Sequence, residues 1–403
     1  MRGSPVAHPD SGPVPFHPMT VAGVMSGTSA DGIDIALVEI HPVRDQLKVK
    51  LAGHRAFPFT AALRQAVLSA MDAKPTCTAE LARLNWRLGQ AYAEAVRATV
   101  ARHPVNLQLI GCHGQTIYHQ AVPAMYAGRK VACTWQIGEP ALLAAELGVP
   151  VVSNFRPADM VAGGQGAPLV PLLDYVQFAD VKRARVLQNI GGIGNLTLIP
   201  PASKTDQVIA FDTGPGNMVV DALMQQLFQK SYDRSGKTAA QGSVLDSALA
   251  AALEHPFFQT KPPKSAGREE FGGAFAEEFL STCRKSGATN EDAIATATAL
   301  TAESITRAFE QFVRPKLKSS TPVDYIVSGG GAKNRTLIGM LRQRLQPLGC
   351  KLMESTDAGI PVDAKEAVAF ALLAYYTWHR RPANVPSATG AKRPAILGQI
   401  NYV

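Results

Sequence analysis

The stretch that decides the fold is VAGVMSGTSADGIDIALVEI, residues 21–40, in which a loop of Gly, Ser, Thr and Asp joins two apolar runs. Residues 21–25 and 33–40 are predicted to be β-strands, since aliphatic residues dominate both. Backbone N–H groups of a glycine-rich turn, together with hydroxyl groups, can surround a phosphate. Because the loop leads into a strand and not a helix, the sequence argues against both Walker and dinucleotide-binding loops.

We therefore expect this loop to bind nucleotide phosphates. Its candidate ATP-binding residues are Ser26, Gly27, Thr28, Ser29, Asp31, Gly32 and Asp34. Asp31 and Asp34 are also the candidate ligands of Mg²⁺, which a nucleotide site needs because the ion bridges phosphates and neutralises charge. An ordinary turn is the alternative for this motif taken alone.

Length and composition indicate a soluble globular protein of two domains. The chain has 403 residues, 46% hydrophobic and 18% charged, and single cores stop growing near roughly 250 to 300 residues. No apolar run reaches the roughly 18 residues that a membrane span needs, so no membrane association is predicted. The net charge of +8 comes from scattered Lys and Arg, which disfavours nucleic-acid binding and weakly favours small anionic substrates.

Residues 1–19 are predicted to be a disordered extension, because the first 18 are rich in Pro, Gly and His and have no apolar core of a signal peptide. The five cysteines are scattered and form no CxxC pair. This pattern argues against a disulfide framework or structural zinc and favours a reduced, cytoplasmic location.

Strand-like and helix-like segments alternate from residue 20 onward, which predicts an α/β protein. The predicted strands are 21–25, 33–40, 107–112, 149–155, 185–190, 196–200, 208–212 and 324–329. The predicted helices are 78–102, 217–229, 244–254, 290–313, 335–345 and 364–378.

An internal echo of the opening stretch is RVLQNIGGIGNLTLIP, residues 185–200, again a strand, a glycine turn and a strand. Two such hairpins, about half a chain apart, indicate two related α/β halves that face each other across a cleft. Two unrelated hairpins are the alternative.

Two further segments are candidates for chemistry. In VIAFDTGPGNMVVDAL, residues 208–223, a strand ends at Asp212 and a turn leads into a helix near Asn217. A carboxylate at that strand end can accept a proton from a nucleophile, and the helix N-terminus can face phosphate, although Asp212 could instead cap the turn. In DYIVSGGGAKNRTLIGMLRQRL, residues 324–345, three glycines precede a helix and offer a flat surface for adenosine.

Together these motifs resemble the anhydro-N-acetylmuramic acid kinases, a branch of the actin, Hsp70 and sugar-kinase superfamily. The resemblance covers roughly residues 20–400. Besides GVMSGTSADGID it includes GCHGQT (111–116), QIGEP (136–140), VVSNFRPADMVAGGQGAPLVP (151–171), QNIGGIGNLT (188–197), FDTGPGN (211–217), KSAGREEFG (264–272), VSGGGAKN (327–334) and PVDAKEAVAFA (361–371).

The resemblance implies the two-domain actin-like (ribonuclease H-like) ATPase fold with ATP in an interdomain cleft. Domain I would comprise 20–157 and about 366–403, and domain II would comprise 158–365 with the adenosine site and Asp212. It implies a cytoplasmic kinase of cell-wall recycling that uses ATP and water to open the 1,6-anhydro bridge of its sugar and phosphorylate O6. Asp212 would activate the water, and a homodimer is expected.

The resemblance also implies the remaining site residues. Further ATP-binding residues would be Gly191, Gly192, Gly214, Gly216, Asn217, Gly329, Gly330, Gly331 and Asn334. Substrate-binding residues would be Arg156 for a carboxylate, Asp159 for sugar hydroxyl groups, and Gln165. A surface Arg–Asp pair is the alternative for the first two of these.

Three further positions are expected near the sugar pocket. Asn154 stands where the family pattern has an acid, so a charge is lost while a hydrogen-bond acceptor remains. His113 lies after a strand and is left out of catalysis. Glu366 is a candidate second catalytic carboxylate, and its spacing from Asp363 also fits a helix capping box.

Two other functions remain open from the sequence. Levoglucosan kinase keeps the fold and changes the sugar, although Arg156 disfavours it because levoglucosan has no carboxylate. A non-catalytic or chaperone-like ATP-binding module would use the same nucleotide site to drive partner binding.

Overall fold

The computed structural model describes residues 12–43, 46–71, 75–354 and 360–403. They divide into two compact units, one formed by residues up to 177 together with 363–403, the other by 178–362.

The strands are numbered in chain order. They are β1 Met19–Ser26, β2 Gly32–Val43, β3 Gln46–Pro58, β4 Leu109–Tyr126, β5 Arg129–Ile137, β6 Val151–Ser153, β7 Ala184–Ile190, β8 Ile193–Ile199, β9 Ile209–Pro215, β10 Val323–Ser328, β11 Cys350–Glu354 and β12 Gln399–Asn401.

The α-helices are α1 Ala61–Ala70, α2 Thr78–Arg102, α3 Pro140–Leu147, α4 Arg156–Val161, α5 Pro171–Phe178, α6 Met218–Phe228, α7 Asp246–Ala252, α8 Pro256–Gln259, α9 Arg268–Phe271, α10 Gly273–Lys285, α11 Asn290–Ala308, α12 Arg335–Leu345, α13 Lys365–Trp378 and α14 Pro386–Thr389. A π-helical turn, Phe309–Val313, continues α11.

Each unit is built on one mixed sheet. The first sheet has the order β12-β6-β4-β1-β2-β3, with β5 also paired to β4, and the second has the order β11-β10-β7-β8-β9. In both, three antiparallel strands are followed by two strands parallel to the first one, β1 or β7. This shared order is that of the ribonuclease H-like fold of actin-like ATPases. The predicted α/β class and the two related halves are therefore confirmed.

Helix α13 packs very closely on the sheet of the first unit. A Cβ atom on Gly23 of β1 would lie 1.7 Å from the carbonyl oxygen of Ala367, and one on Gly111 of β4 would lie 2.1 Å from that of Phe370. Only glycine leaves space for such an approach of helix backbone to strand backbone. The apolar face of α13 is buried throughout, as its composition predicts.

The structure corrects the boundary between the domains. Residues 158–177 were expected in the second domain, but they belong to the first unit. The reason lies in their contacts: Asp159 accepts a hydrogen bond from Thr389 at 2.7 Å, and Asp174 forms a 2.7 Å ion pair with Lys365. These polar bonds tie the segment to the returning C-terminal part of the chain.

The structure also corrects the predicted disorder of residues 12–19, the last of which begins β1. The N–H of Val14 donates to the carbonyl of His379 at 3.0 Å, and the hydroxyl of Tyr375 donates to the carbonyl of His17 at 2.7 Å. The Phe16 ring stacks on Tyr375 with centroids 5.3 Å apart. This segment is therefore ordered against the end of α13, while residues 1–11 lie outside the described residues.

Two findings bear on the remaining sequence predictions. All five cysteines, which lie within the described ranges, are unpaired. In the part of the chain that the structure describes, no helix has the length and apolar character needed to cross a membrane.

Candidate active site

The loop between β1 and β2 is held from beneath by neighbouring side chains. The buried hydroxyl of Ser26 lies 2.7 Å from the hydroxyl of Tyr92, and Gln115 donates to the carbonyl of Gly27 at 3.0 Å. Thr28 and Ser29 are exposed. The loop thus has a fixed base and an exposed polar tip, and its role as a phosphate site stays a prediction.

The two aspartates of this hairpin have different surroundings. Asp31 is exposed and accepts a 2.8 Å hydrogen bond from Ser29, whereas Asp34 lies on β2 and is 3.3 Å from the His54 ring nitrogen. Among residues 12–43, 46–71, 75–354 and 360–403, no group of three His, Cys, Asp or Glu side chains could hold a metal ion by itself. One or two carboxylates completed by phosphate oxygens and water are the donor set that Mg²⁺ prefers, and this hairpin fits it.

Arg156 begins helix α4 and is half-buried next to His113. Its Nε donates to the His113 Nε2 at 3.1 Å, and one of its terminal nitrogens donates to the Gly166 carbonyl at 3.2 Å. Burial, followed by the charge of Arg156, lowers the pKa of His113 to about 3. The imidazole is therefore neutral and acts as a structural acceptor, as the sequence analysis expected.

Glu366 lies near Arg156 and Asp34 at the start of α13. Loss of water around its carboxyl raises the pKa of Glu366, Arg156 opposes this, and Asp34 adds to it. The alternative capping box is not formed, because α13 begins after Ala364 without a side-chain cap. The first unit thus brings Asp34, Arg156 and Glu366 into one electrostatic group.

Asp159 is fully buried and its oxygens are engaged inside the unit. They accept hydrogen bonds from the Gly166 N–H at 2.8 Å, the Asn384 amide at 2.8 Å and the Thr389 hydroxyl at 2.7 Å. These contacts favour a structural role over the predicted one in sugar binding. Gln165, in contrast, is exposed on the loop that Asp159 fixes.

Asn154 adopts a backbone φ of 56°, in the left-handed region. Asn and Asp are the non-glycine residues that tolerate this conformation best. Asn154 is therefore compatible with the local backbone, as an acid such as Asp would be.

In the second unit, Asp212 lies on β9 and is oriented by the segment that precedes α9. Its backbone N–H donates to the Lys264 carbonyl at 3.0 Å, and its carboxylate accepts from the Ala266 N–H at 2.8 Å. Phe312, on the π-helical turn, lies under the Lys264 ammonium at 4.9 Å from the ring centroid. The strand thus continues past Asp212 to Pro215, and was not predicted to do so; the loop before α9 orients the carboxylate, while the π-helical turn supports the neighbouring Lys264.

The pKa values of this pair are shifted in opposite directions. Burial raises the pKa of Asp212 to about 6, the Ala266 N–H opposes the rise, Glu270 adds to it and Lys264 opposes it. Burial lowers the pKa of Lys264 to about 8, and Asp212 opposes that change. A carboxyl group with a pKa near neutrality is suited to accept a proton in a general-base step.

The glycine turns of the second unit pack against each other. The N–H groups of Gly216 and Asn217 donate to the carbonyls of Gly192 and Gly191 at 2.8 and 2.7 Å. A Cβ atom on Gly216 would lie 2.2 Å from the Gly191 oxygen. The first donors of the α6 terminus are therefore engaged internally, so this helix end offers fewer free N–H groups to phosphate than expected. Gly214, at φ 131°, also has no space for a side chain.

The three late glycines lie between β10 and α12. Gly329 has φ 82°, and a Cβ atom on Gly331 would lie 2.4 Å from the Ile190 side chain, whereas Gly330 is exposed. Asn334 caps α12 by accepting from the Leu337 N–H at 3.0 Å. Gly330 and Asn334 line a pocket of about 360 Å³, and its role as an adenosine site stays a prediction.

Sequence reasoning missed three residues of this unit. Asp221 and Tyr232 line the same pocket, and Lys264 accompanies Asp212. Asp221 lies one helical turn after Asn217, on the same helix face, and this spacing was the available signal. The sequence contains no comparable signal for Tyr232 and Lys264, because tertiary contacts bring both residues into place.

Nearly the whole chain is similar to one family of proteins. The family model described as AnmK, anhydro-N-acetylmuramic acid kinase, matches residues 19–403. Proteins named anhydro-N-acetylmuramic acid kinase from Bacillus cereus (strain G9842) and Bacillus anthracis (strain CDC 684 / NRRL 3495) are 46% and 44% identical over 387 residues, which is 95% of this chain and 99% of each relative.

Two solved structures were also compared. They are component A of the (R)-2-hydroxyglutaryl-CoA dehydratase of Acidaminococcus fermentans, with a TM-score of 0.42 and 12% identity, and a ROK family glucokinase of Streptomyces griseus, with 0.35 and 11%. They cover 89% and 88% of this chain and 98% and 99% of their own. Scores this low add nothing to the fold described above. The whole-length family match does decide the family: the chain belongs to the anhydro-N-acetylmuramic acid kinases.

Proposed function

We propose that this protein is an ATP-dependent kinase that hydrolyses the 1,6-anhydro bond of 1,6-anhydro-N-acetylmuramic acid and phosphorylates O6. The products are N-acetylmuramic acid 6-phosphate and ADP, in the recycling of cell-wall peptidoglycan. The observation that carries the proposal is the family match along residues 19–403, with relatives of that name at 44–46% identity.

Asp212 acts as the general base. The Ala266 N–H holds one carboxylate oxygen, and among the described residues no other hydrogen bond reaches this carboxylate, so the second oxygen can receive a proton. Water loses a proton to Asp212 and attacks the anomeric carbon, the bond from that carbon to O6 breaks, and O6 bonds to the γ-phosphorus as ADP leaves. Phosphorus captures the departing oxygen, so no separate general acid is required.

The β1–β2 loop binds the phosphates, and Asp31 and Asp34 hold Mg²⁺. The fixed base and exposed polar tip of the loop support the first assignment, and the two neighbouring carboxylates support the second. When bound there, Mg²⁺ would supply positive charge that offsets the negative charge developing during phosphoryl transfer. ATP presents its adenosine to the pocket beside Gly330 and Asn334.

Arg156 binds the carboxylate of the lactyl group, and Glu366 assists as the second acid of the site. The hydrogen bonds of Arg156 to the neutral His113 and to the Gly166 carbonyl fix the guanidinium in one orientation, which suits a charged, directional contact. Levoglucosan carries no carboxylate and would leave this half-buried charge without a ligand.

A cytoplasmic location and a homodimer complete the proposal. The five unpaired cysteines support a reducing compartment. Exposed apolar side chains on the β4–β5 hairpin support contact with a second copy, and they include Val122, Met125 and Tyr126, each at least 66% exposed. Light scattering of the purified protein tests the homodimer.

The test of the function is turnover of anhydro-N-acetylmuramic acid with ATP in ¹⁸O-labelled water. We expect one label at the anomeric carbon and none in the phosphate. Label in the phosphate would contradict the proposed route. Faster turnover of levoglucosan would make levoglucosan the substrate in place of anhydro-N-acetylmuramic acid. Binding of ATP without phosphorylation of either sugar would support a non-catalytic module.

A further inference from the structure

The pocket of the second unit contains a carboxylate with no partner. Asp221 projects from α6 on the same face as Asn217 and Val220, and all three line the pocket of about 360 Å³. Its side chain is half-buried. Across the described ranges, no hydrogen bond or ion pair reaches the Asp221 carboxylate.

Two other side-chain acceptors of this pocket, those of Asp233 and Asn334, are already engaged. Both carboxylate oxygens of Asp233 accept from backbone N–H groups, those of Thr238 at 2.9 Å and Ala239 at 3.0 Å. The side-chain oxygen of Asn334 caps α12. Asp221 is therefore the pocket carboxylate that is left for a ligand.

Leaving this group unpaired costs stability. Burial alone raises the pKa of Asp221 to about 6, and neither a cation nor a donor opposes it. A half-buried carboxylate that the fold does not satisfy is expected where a bound molecule supplies the donors. Such residues commonly mark binding sites, because ligand hydrogen bonds recover the energy lost to desolvation.

The rest of the lining indicates which molecule that is. Tyr232 lies at the pocket with 59% of its side chain exposed, and its ring offers a flat surface on which a base can stack. Gly330 adds a surface without a side chain, and the exposed Lys333 adds a positive charge. A planar base, a polyol and an anion are the parts of a nucleotide.

We propose that Asp221 accepts hydrogen bonds from the 2′- and 3′-hydroxyl groups of the ATP ribose and makes the enzyme selective for ribonucleotides. A carboxylate has two oxygens and the ribose diol has two O–H donors, so the two groups match pair to pair. A metal ion is disfavoured, since Asp233, the other acid of the pocket lining, is already engaged by backbone N–H groups, and no group of three acidic, His or Cys side chains occurs among the described residues. This inference rests on the proposed function and adds the residue that binds the ribose of the nucleotide.

The experiment measures nucleotide binding directly by calorimetry, without the anhydro sugar. The probes are the non-hydrolysable ATP analogue AMPPNP, its 2′-deoxy and 3′-deoxy forms, and the inosine analogue. The proteins are wild type, Asp221→Ala and Asp206→Ala, the last being an exposed acid outside the pocket that gives the same change of charge. Thermal unfolding without ligand checks folding.

Wild type should bind AMPPNP about ten- to a hundredfold more tightly than either deoxy form, the usual effect of a hydrogen bond to a charged group. Asp221→Ala should bind all three with similar affinity, no tighter than wild type binds the deoxy forms, because both hydrogen bonds are lost. Asp206→Ala should behave as wild type. The melting temperature of ligand-free Asp221→Ala should not fall, because the substitution removes an unpaired charge.

Three outcomes would overturn the inference. One is equal binding of AMPPNP and its deoxy forms by wild type. Another is that Asp221→Ala loses only the preference for the adenine analogue over the inosine analogue. The carboxylate would then bind the base and not the ribose. The third is a large drop in ligand-free stability of the variant. If the protein still turns over the anhydro sugar with any of these three outcomes, the proposed function stands. Absence of all nucleotide binding would contradict both the proposed function and the role of Asp221.

Discussion

The backbone N–H of Asp212 donates to the carbonyl of Lys264 at 3.0 Å, across 52 residues of chain, and each side chain shifts the pKa of the other. Between about pH 6 and about pH 8 the carboxyl is ionised while the ammonium keeps its proton. The base is therefore ready to accept a proton near neutral pH, with a positive charge beside it that lowers its pKa.

The first prediction concerns the pH dependence of turnover. A base must be ionised, so kcat/KM should fall about tenfold per pH unit below the Asp212 pKa of about 6. Asp212→Asn should lower kcat by roughly 10²- to 10⁴-fold, with little change in nucleotide affinity. Steady-state kinetics across roughly pH 4.5–8.5, about two pH units on each side of that pKa, measures the pH dependence of kcat/KM and the kcat of the variant. Near-normal turnover of the Asn variant would reject Asp212 as the base.

The second prediction separates the two charges near Asp212. Lys264→Met removes a group that lowers the Asp212 pKa and should move the acidic limb of the profile to higher pH. Glu270→Gln removes a group that raises it and should move the limb to lower pH. Each shift should be on the order of half to one unit. Exposed Glu269→Gln is the matched control, and a shift there would mean that the effect is general and not local.

The third prediction concerns stability. Asp159→Ala leaves the donors of Gly166, Asn384 and Thr389 unpaired in a buried place and should cost about 3 kcal/mol of unfolding free energy. Thr389→Val removes one of these bonds and should cost about 1 kcal/mol. Urea unfolding measures both. If Asp159 instead served the sugar alone, stability would be unchanged and KM for the sugar would rise.

The fourth prediction concerns the glycine turns. Gly216→Ala places a methyl group 2.2 Å from the Gly191 oxygen, so the two turns must separate and KM for ATP should rise roughly tenfold. Gly273→Ala, where the added methyl group would meet no atom within 4 Å, should leave KM for ATP unchanged. Equal effects of the two variants would show that the close approach does not matter.

The fifth prediction concerns the N-terminal segment. His379 donates through Nδ1 to the Tyr375 carbonyl at 2.7 Å, so its Nε2 accepts from His17 at 2.9 Å. Burial lowers the pKa of His379, the Tyr375 carbonyl opposes this, and His17 and Arg381 add to it.

A histidine whose pKa is lower in the folded state contributes stability above its unfolded pKa of about 6.5 and loses it as the pH falls through that value. Docking of residues 12–18 should therefore weaken at acid pH. Amide exchange at Val14, corrected for the intrinsic rate at each pH, should be faster at low pH. The same acceleration in His379→Phe would assign the effect to another group.

The sequence predicted the elements whose local pattern agrees with their place in the fold. The bounds of α2 and α12 match the prediction, and each predicted strand overlaps an observed one. Strand β3 was missed because QLKVKLAGHRAFP, at the sheet edge, exposes alternate polar residues and lacks an apolar run. Helices α4 and α5 were missed because both are short and begin at or beside a proline.

The candidate site was predictable where its chemistry lies in one contiguous motif. The β1–β2 loop, Asp212 and Gly330 could each be found from a strand, a turn and a polar residue in order. Lys264 and Tyr232 could not, since their positions depend on chain contacts that no spacing encodes. Asp159 was assigned to the sugar because sequence shows an acid but not the three donors that already surround it.

The glycines under α13 determine how Glu366 is placed. Because Gly23 and Gly111 let the helix rest directly on peptide groups of β1 and β4, its height above the strands equals the thickness of bare backbone. No rotamer change can alter that spacing, and the smallest possible enlargement, one methyl group, would lift the whole helix. The acid at its first turn is thereby kept in register with the hairpin that begins at the end of β1, without any bond between their side chains.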